Sequence, residues 1–381
     1  MTTRPPIEVL VVDDSAVMRQ LMSTLLGPHV GVHVTTASDP LVAMAKMKRH
    51  RPHVILLDLE MPRMDGITFL KQIMATDPIP VVVCSGFAEP GTNLAVRALA
   101  AGAVDIVPKP RLFASGSIED NGLLDVLRAA AQARVGPPRT VRSTTMPGWR
   151  PPQPQRRAPE RPPLRTAGTG VHRVANDPII AIGASTGGTE ALKDILRAMP
   201  FDAPGIVIVQ HMPVGFTGAF AAHLADICKM EVHEAAHGDR VARGRVLLAR
   251  GDRHLLVHRR GFELVVELSD APPILRHRPS VDVLFRSVAD AVGAAAVGVI
   301  LTGMGADGAD GLLTMKRAGA ATIAQDESTS VVFGMPKEAI DRGAVDVVLP
   351  LPRIAAGILQ RAPELSQIGR ASCRERVCLV V

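Results

Sequence analysis

One recurring unit constrains this chain more than anything else in it: a short run of valine, isoleucine and leucine stops at a polar or charged residue, and a helical pattern follows. It occurs at Ile7–Val12 before Asp13, Asp14 and Ser15, at Val32–Thr36, at Val54–Leu57 before Asp58, at Val81–Cys84 before Ser85, and near Val104–Val107 before Lys109. Helix patterns alternate with these runs at Ala16–Leu26, Leu41–His50, Ile67–Met74, Leu94–Ala101 and about Leu123–Arg134. Strands alternating with helices imply a parallel sheet covered on both faces. In such sheets the chemistry gathers at the carboxyl ends of the strands.

The unit returns later. Ile179–Ile182 stops at Gly183, Ser185 follows, and Thr189–Met199 has the composition of a helix closing near Pro200. Gly205–Gln210 ends on His211, and Ala294–Leu301 leads into the glycine-rich loop Thr302–Gly311, TGMGADGADG, before a helix at Leu312–Arg317. Two α/β domains are expected, and a length of 381 residues agrees with that number.

Between them lies a stretch of different character. The net charge of +6 is accounted for by residues 136–177, where eight arginines face only Glu160 and Asp177. The folded parts therefore carry no basic stripe, and nucleic acid is not an expected partner. The same stretch is rich in proline, holds the single tryptophan, Trp149, and lacks apolar periodicity, so it reads as an extended, solvated linker. The expected organisation is a first domain over 1–135, this linker over 136–177, a second domain over 178–363, and a non-native or disordered tail over 364–381. Met1–Pro6 lacks the apolar core of a signal peptide and no run has membrane-spanning length, which points to the cytoplasm without membrane insertion. Cys84, Cys228, Cys373 and Cys378 have neither metal-ligand spacing nor the density of a disulfide framework, as suits a reducing compartment.

The strand ends of the first domain would bring together Asp13, Asp14, Asp58, Ser85 and Lys109. Clustered carboxylates repel one another unless they share a hard cation, and Mg²⁺ with its oxygen shell fits that need. With phosphate chemistry added, Asp58 can be a nucleophile, Lys109 a charge pairing phosphoryl oxygens, and Ser85 a donor to another oxygen. The plain alternatives are a helix cap at Asp14 or Ser15 and ordinary turn chemistry at Ser85.

In the second domain Gly183, Ser185 and Gly187 form a Gly-x-Ser-x-Gly turn from strand to helix. A serine there is exposed beside free backbone N–H groups, although such turns also bind phosphate. Three strands deliver a serine, a histidine and, at Asp307 or Asp310, an aspartate. A hydroxyl needs a base to become a nucleophile, and the imidazole needs a carboxylate to hold its tautomer. The chain order disfavours an α/β-hydrolase, where the acid precedes the histidine. Among the twelve histidines, His223, His237, His254 or His277 can sit on a surface without a role, so position alone does not single out His211, and either aspartate can be a cap or an Asx turn.

As a set, VVDDS, LLDLEMPRMDG, CSG and PKP make residues 7–134 resemble the receiver domain of two-component response regulators, a flavodoxin-like doubly wound fold. The resemblance implies Asp58 as phosphoacceptor, Asp13 and the Glu60 backbone carbonyl as metal ligands with Asp14 assisting, and Ser85 and Lys109 as phosphoryl-binding residues. Ile106 stands where many receivers carry a switching aromatic. GASTGG at Gly183–Gly188, QHMP at Gln210–Pro213 and TGMGADGADG make the second domain similar to the catalytic domain of chemotaxis protein-glutamate methylesterases. That likeness implies Ser185 as nucleophile, His211 as general base, Asp307 as the acid, and the backbone N–H groups of Thr186 and Met304 as oxyanion donors, with no cofactor in the esterase site. It also implies a monomeric, phosphorylation-activated methylesterase and glutamine deamidase. Its substrate would be methylated chemoreceptor cytoplasmic helices, and its phosphodonor a chemotaxis histidine kinase. Two other readings stand beside it: a response regulator with a non-catalytic binding output domain, and a carboxylesterase for small molecules.

Overall fold

The computed structural model describes residues 6–62, 64–86, 94–110, 122–133, 135 and 178–362. The expected linker and tail lie outside the described residues.

The first sheet consists of β1 (Ile7–Val12), β2 (Val32–Ala37), β3 (Val54–Leu57), β4 (Val81–Ser85) and β5 (Asp105–Pro108), interleaved with α1 (Ala16–Leu26), α2 (Pro40–Met47), α3 (Gly66–Thr76), α4 (Leu94–Ala100) and α5 (Leu123–Ala131). All its pairings are parallel, in the order β2-β1-β3-β4-β5. Every residue of β3 is buried, as expected of a strand covered by helices on both sides. The winding reverses between β1 and β3, and Asp13 and Asp58 follow those two strands. A crevice at such a reversal is where doubly wound sheets bind ligands.

The second sheet is larger than the sequence suggests. It has seven parallel strands in the order β14-β13-β12-β6-β7-β9-β8. Its elements are β6 (Ile179–Ala184), α6 (Gly188–Ala198), β7 (Gly205–Gln210), α7 (Thr217–Ile227), β8 (Glu231–Glu234), β9 (Arg245–Leu248), α8 (Val281–Val292), β12 (Ala296–Ile300), α9 (Ala309–Arg317), β13 (Ala321–Gln325), α10 (Met335–Asp341) and β14 (Val347–Leu349). A helix over residues 351–362 follows, and an antiparallel hairpin of β10 (His254–Arg260) and β11 (Glu263–Ser269) stands apart from the sheet. Side chains alternate across β6 and β7: Ile180, Ile182, Ile206 and Ile208 join one apolar cluster, while Ile179, Ala181, Val207 and Val209 join the other. Here the winding reverses between β12 and β6.

Two glycines shape the turn that leaves β6. A Cβ on Gly183 would stand 2.2 Å from a Val281 methyl, so α8 can cross β6 only where a side chain is missing. Gly187 caps α6 at φ +77, a conformation other residues adopt only with strain. The two α/β units also touch. Leu94, Ala95, Val96, Ala98 and Leu99 of α4 belong to the same apolar cluster as Leu192, Leu196 and Phe220 of α6 and α7. Among the described residues, no helix is long and apolar enough to cross a membrane.

Candidate functional site

The sheet order puts β12, β6 and β7 side by side, so the residues that follow them share one crevice. Ser185 comes directly after β6 and is half-buried between buried neighbours Ala184 and Thr186. Its N–H donates to the Thr302 carbonyl at 3.0 Å, which ties the turn to the end of β12. His211 comes directly after β7, and its N–H donates to the Ala184 carbonyl at 3.0 Å. Gln210, only 1% exposed, cross-links the two turns: its Nε2 donates to the carbonyls of Ser185 at 2.9 Å and His211 at 3.1 Å. Thr302 completes the brace by donating from Oγ1 to the Thr186 carbonyl at 3.0 Å.

Asp307 lies in the loop between β12 and α9 and is 1% exposed. Its Oδ2 meets His211 Nε2 at 2.8 Å and accepts from the Val281 N–H at 2.7 Å; its Oδ1 accepts from Ser280 Oγ at 2.7 Å and the Asp282 N–H at 3.1 Å. Ser280 is the N-cap of α8, so the carboxylate rests on the positive end of that helix. Burial works to raise its pKa, but the hydrogen bond and charge of His211 and the donors of Ser280 and Val281 outweigh it and hold the group at about 2. An ionised carboxylate can only accept, so the proton between the two residues sits on His211 Nε2. Whenever the ring gives up its second proton, Nδ1 is the nitrogen left to accept one, and Nδ1 is buried without a hydrogen-bond partner among the described residues. Asp310, the other aspartate of the loop, is exposed on α9 and pairs with Arg342 at 2.6 Å, away from His211. Among the described residues, the backbone N–H groups of Thr186 and Met304 donate to no protein acceptor.

His277, to which the sequence gives no role, is half-buried and stacked on His211 with ring centroids 3.8 Å apart and planes within 6°. His254 is internal, 1% exposed, and accepts from the Ser280 N–H at 3.2 Å. The first α/β unit reaches the same crevice: Asp105 Oδ2 of β5 accepts from the Thr186 hydroxyl at 2.7 Å, and the Val104 carbonyl accepts from the Gly187 N–H at 3.2 Å. Partial burial lifts the Asp105 carboxyl to about 6 despite its bonds from Thr186 and Ile106 and the nearby His211. Gln210 and Ser280 had visible signals, a polar residue ending an apolar strand and a serine before an apolar helix. Nothing local in the sequence marks His277 or Asp105.

The second cluster forms at the ends of β1, β3 and β5. Oxygens of Asp13, Asp14 and Asp58 lie within 4.8 Å of one another, a donor set that suits a hard divalent cation. Lys109 Nζ stands 2.6 Å from Asp58 Oδ2 and 3.3 Å from Asp13 Oδ2. Burial lowers the Lys109 pKa, but the hydrogen bond and charge of Asp58 and then Asp13 raise it further, so the ammonium is retained. Burial raises the Asp13 carboxyl, with Lys109 opposing. Ser85 ends β4, and its carbonyl accepts from the Lys109 N–H at 2.9 Å. Glu60 is exposed and its N–H donates to Asp58 Oδ1 at 3.3 Å. Ile106 is buried in β5 between Asp105 and Lys109.

Residues 180–358 match the family model described as CheB methylesterase, and residues 9–115 match the response regulator receiver domain. The chain is 55% identical over 354 residues to protein-glutamate methylesterase/protein-glutamine glutaminase 1 of Anaeromyxobacter dehalogenans, covering 92% of this chain and 98% of that protein. It is 51% identical over 357 residues to protein-glutamate methylesterase/protein-glutamine glutaminase 2 of Rhodospirillum rubrum, covering 93% and 98%. The solved catalytic domain of Thermotoga maritima CheB methylesterase shares 39% identity over 48% of this chain and 97% of that one, with a TM-score of 0.47.

Proposed function

We propose, from the premise that this chain belongs to the CheB methylesterase family, that it is a phosphorylation-regulated protein-glutamate methylesterase and protein-glutamine glutaminase of chemotaxis. Its substrates are glutamyl methyl esters and particular glutamines on cytoplasmic helices of chemoreceptors, and its working compartment is the cytoplasm. One observation carries the hydrolase reading: Asp307 accepts from His211 Nε2, leaving Nδ1 without a partner among the described residues, on a strand end that Gln210 ties to the Ser185 turn.

The steps follow from that arrangement. Ser185 Oγ attacks the ester or amide carbonyl carbon while His211 Nδ1 takes its proton, and Asp307 stabilises the imidazolium that forms. The tetrahedral oxyanion is received by the N–H groups of Thr186 and Met304, each worth about 10² to 10³ in rate when well placed. Collapse expels methanol, or ammonia from an amide, with the proton returned by His211. Water activated by the same nitrogen then cleaves the acyl-serine, leaving a glutamate and free Ser185.

In the receiver domain Asp58 is the phosphoacceptor and Ser85 and Lys109 bind the phosphoryl group. Asp13, Asp14 and Asp58, with the Glu60 carbonyl, would hold Mg²⁺, which neutralises charge on the incoming phosphate. A histidine kinase is the phosphodonor. We assign the receiver to residues 1–135, the linker to 136–177 and the esterase domain to 178–363, with residues beyond as a tail. The unphosphorylated receiver acts as a lid, a reading supported by β5 bonded to Thr186 and Gly187. The test is methanol release from a methylated receptor fragment, with and without a small phosphodonor: activity rising with phosphodonor is expected, and no methanol in either condition would overturn the assignment.

A further inference from the structure

A hydrogen bond donated to one carboxylate leaves an imidazole free to swivel about the line of that bond. Asp307 secures Nε2 of His211 in this way, and something else must set the plane of the ring. The parallel ring of His277 lies against its face at 3.8 Å. We propose that His277 is a positioning residue for the esterase reaction, its flat face fixing the plane of the His211 imidazole and so the direction in which the free Nδ1 takes the Ser185 proton. The inference rests on the reading of His211 as the base.

The segment that carries His277 is built rigidly. Ile274 and His277 exchange both backbone hydrogen bonds, 3.1 and 2.8 Å, across a two-residue turn. Leu275 and Arg276 in that turn have φ of +48 and +68, a left-handed conformation that residues with side chains keep only when their surroundings enforce it. Arg278 fastens the far side, donating to Asp252 Oδ1 at 2.6 Å and to the carbonyls of Asp270 and Ala271 at 3.1 and 3.3 Å. His254 bonds the Pro272 carbonyl at 3.1 Å and the Ser280 N–H at 3.2 Å. Ser280 and Val281 then hold Asp307. Residues 277–281 thus control both partners of the pair, the ring by stacking and the carboxylate by hydrogen bonds. Burial, and then the charge of His211, keep the His277 ring neutral, so it adds no repulsion when His211 becomes an imidazolium.

The stacking of two rings is a weak attraction, but misplacing a reacting group by about 1 Å costs on the order of 10² in rate. The experiment uses the full chain, phosphorylated by a small phosphodonor, acting on a methylated receptor fragment. His277→Leu fills the volume without a flat face and should lower kcat about 10- to 100-fold, with KM within about twofold and the thermal unfolding midpoint little changed. His277→Phe restores the face and should bring kcat back to within about threefold, with an unaltered pH–rate profile. Wild-type kcat in His277→Leu refutes the proposal, as does His277→Phe no better than His277→Leu. A Ser185→Ala or His211→Ala protein that still releases methanol would instead overturn the underlying assignment of the site.

Discussion

Replacing Asp105 by asparagine should shut the enzyme further, although it removes a charged partner of Thr186. In the docked arrangement the carboxyl is raised from 3.8 to about 6, chiefly by burial against the esterase domain. Holding it ionised near neutral pH therefore costs up to about 3 kcal/mol of docking energy, and its remaining contact with water reduces that to about 1 to 3 kcal/mol. Asparagine keeps an acceptor for the Ile106 N–H and a polar group for the Thr186 hydroxyl without the charge. Docking should tighten by about 10- to 100-fold, and basal activity should fall accordingly. A raised pKa also sets a pH dependence: the carboxyl favours docking fully below about pH 4, and that contribution fades as pH climbs through about 6. The assay is methanol release by the unphosphorylated full chain divided by that of a fragment starting at Asn176, which cancels the pH dependence of the chemistry. For the wild type this ratio should rise about two- to fourfold between pH 5.5 and 7.5, whereas Asp105→Asn should give a low, flat ratio. A ratio that Asp105→Asn leaves unchanged or raises would refute the reasoning.

The other predictions separate the parts of the machine. Ser185→Ala and His211→Ala should each lower methanol release by about 10⁶ while phosphorylation proceeds normally, and the double variant should be no worse. Asp307→Asn should cost about 10⁴ in kcat through the wrong His211 tautomer, whereas Asp310→Asn, exposed on α9 beside Arg342, should cost little; the reverse order would reassign the acid. Label from a radioactive phosphodonor should require Mg²⁺ and vanish in Asp58→Ala, since the cluster of Asp13, Asp14 and Asp58 cannot accept an anion without a cation. The Asn176 fragment should release methanol without phosphodonor, about 5- to 150-fold faster than the unphosphorylated full chain, and an equal rate would remove the receiver as a lid.

The parallel strands that carry chemistry were legible because each is an apolar run ending abruptly at Asp13, Asp58, Lys109, Ser185 or His211. Burial on both faces demands that composition, and the strand's end is where a polar residue can reach a ligand. The edge strands β8 and β14 were missed for the opposite reason. Charged and polar residues break the first, EVHE, and the second, VVL, is three partly exposed residues long, too short to stand out as a strand. The β10–β11 hairpin was missed although His254–Arg260 and Glu263–Ser269 carry apolar residues, because charged residues interrupt both strands.

What the sequence by itself determined was the inventory: two α/β units, a basic proline-rich stretch between them, and the residue types that an acyl transfer and a phosphoryl site require. Local patterns suffice for that, since strand, turn and cap preferences act over a few neighbours. Only the tertiary structure shows that Asp307 and not Asp310 is the carboxylate that meets His211 and the N-terminus of α8, 25 or more residues away in the chain. Only it could turn His277 from a histidine without a role into the neighbour of His211, and Asp105 into a contact of Thr186 across a separation of 81 residues. Such contacts are set by sheet order and loop packing, which depend on the whole chain folding at once and leave no periodic trace in any single stretch of it.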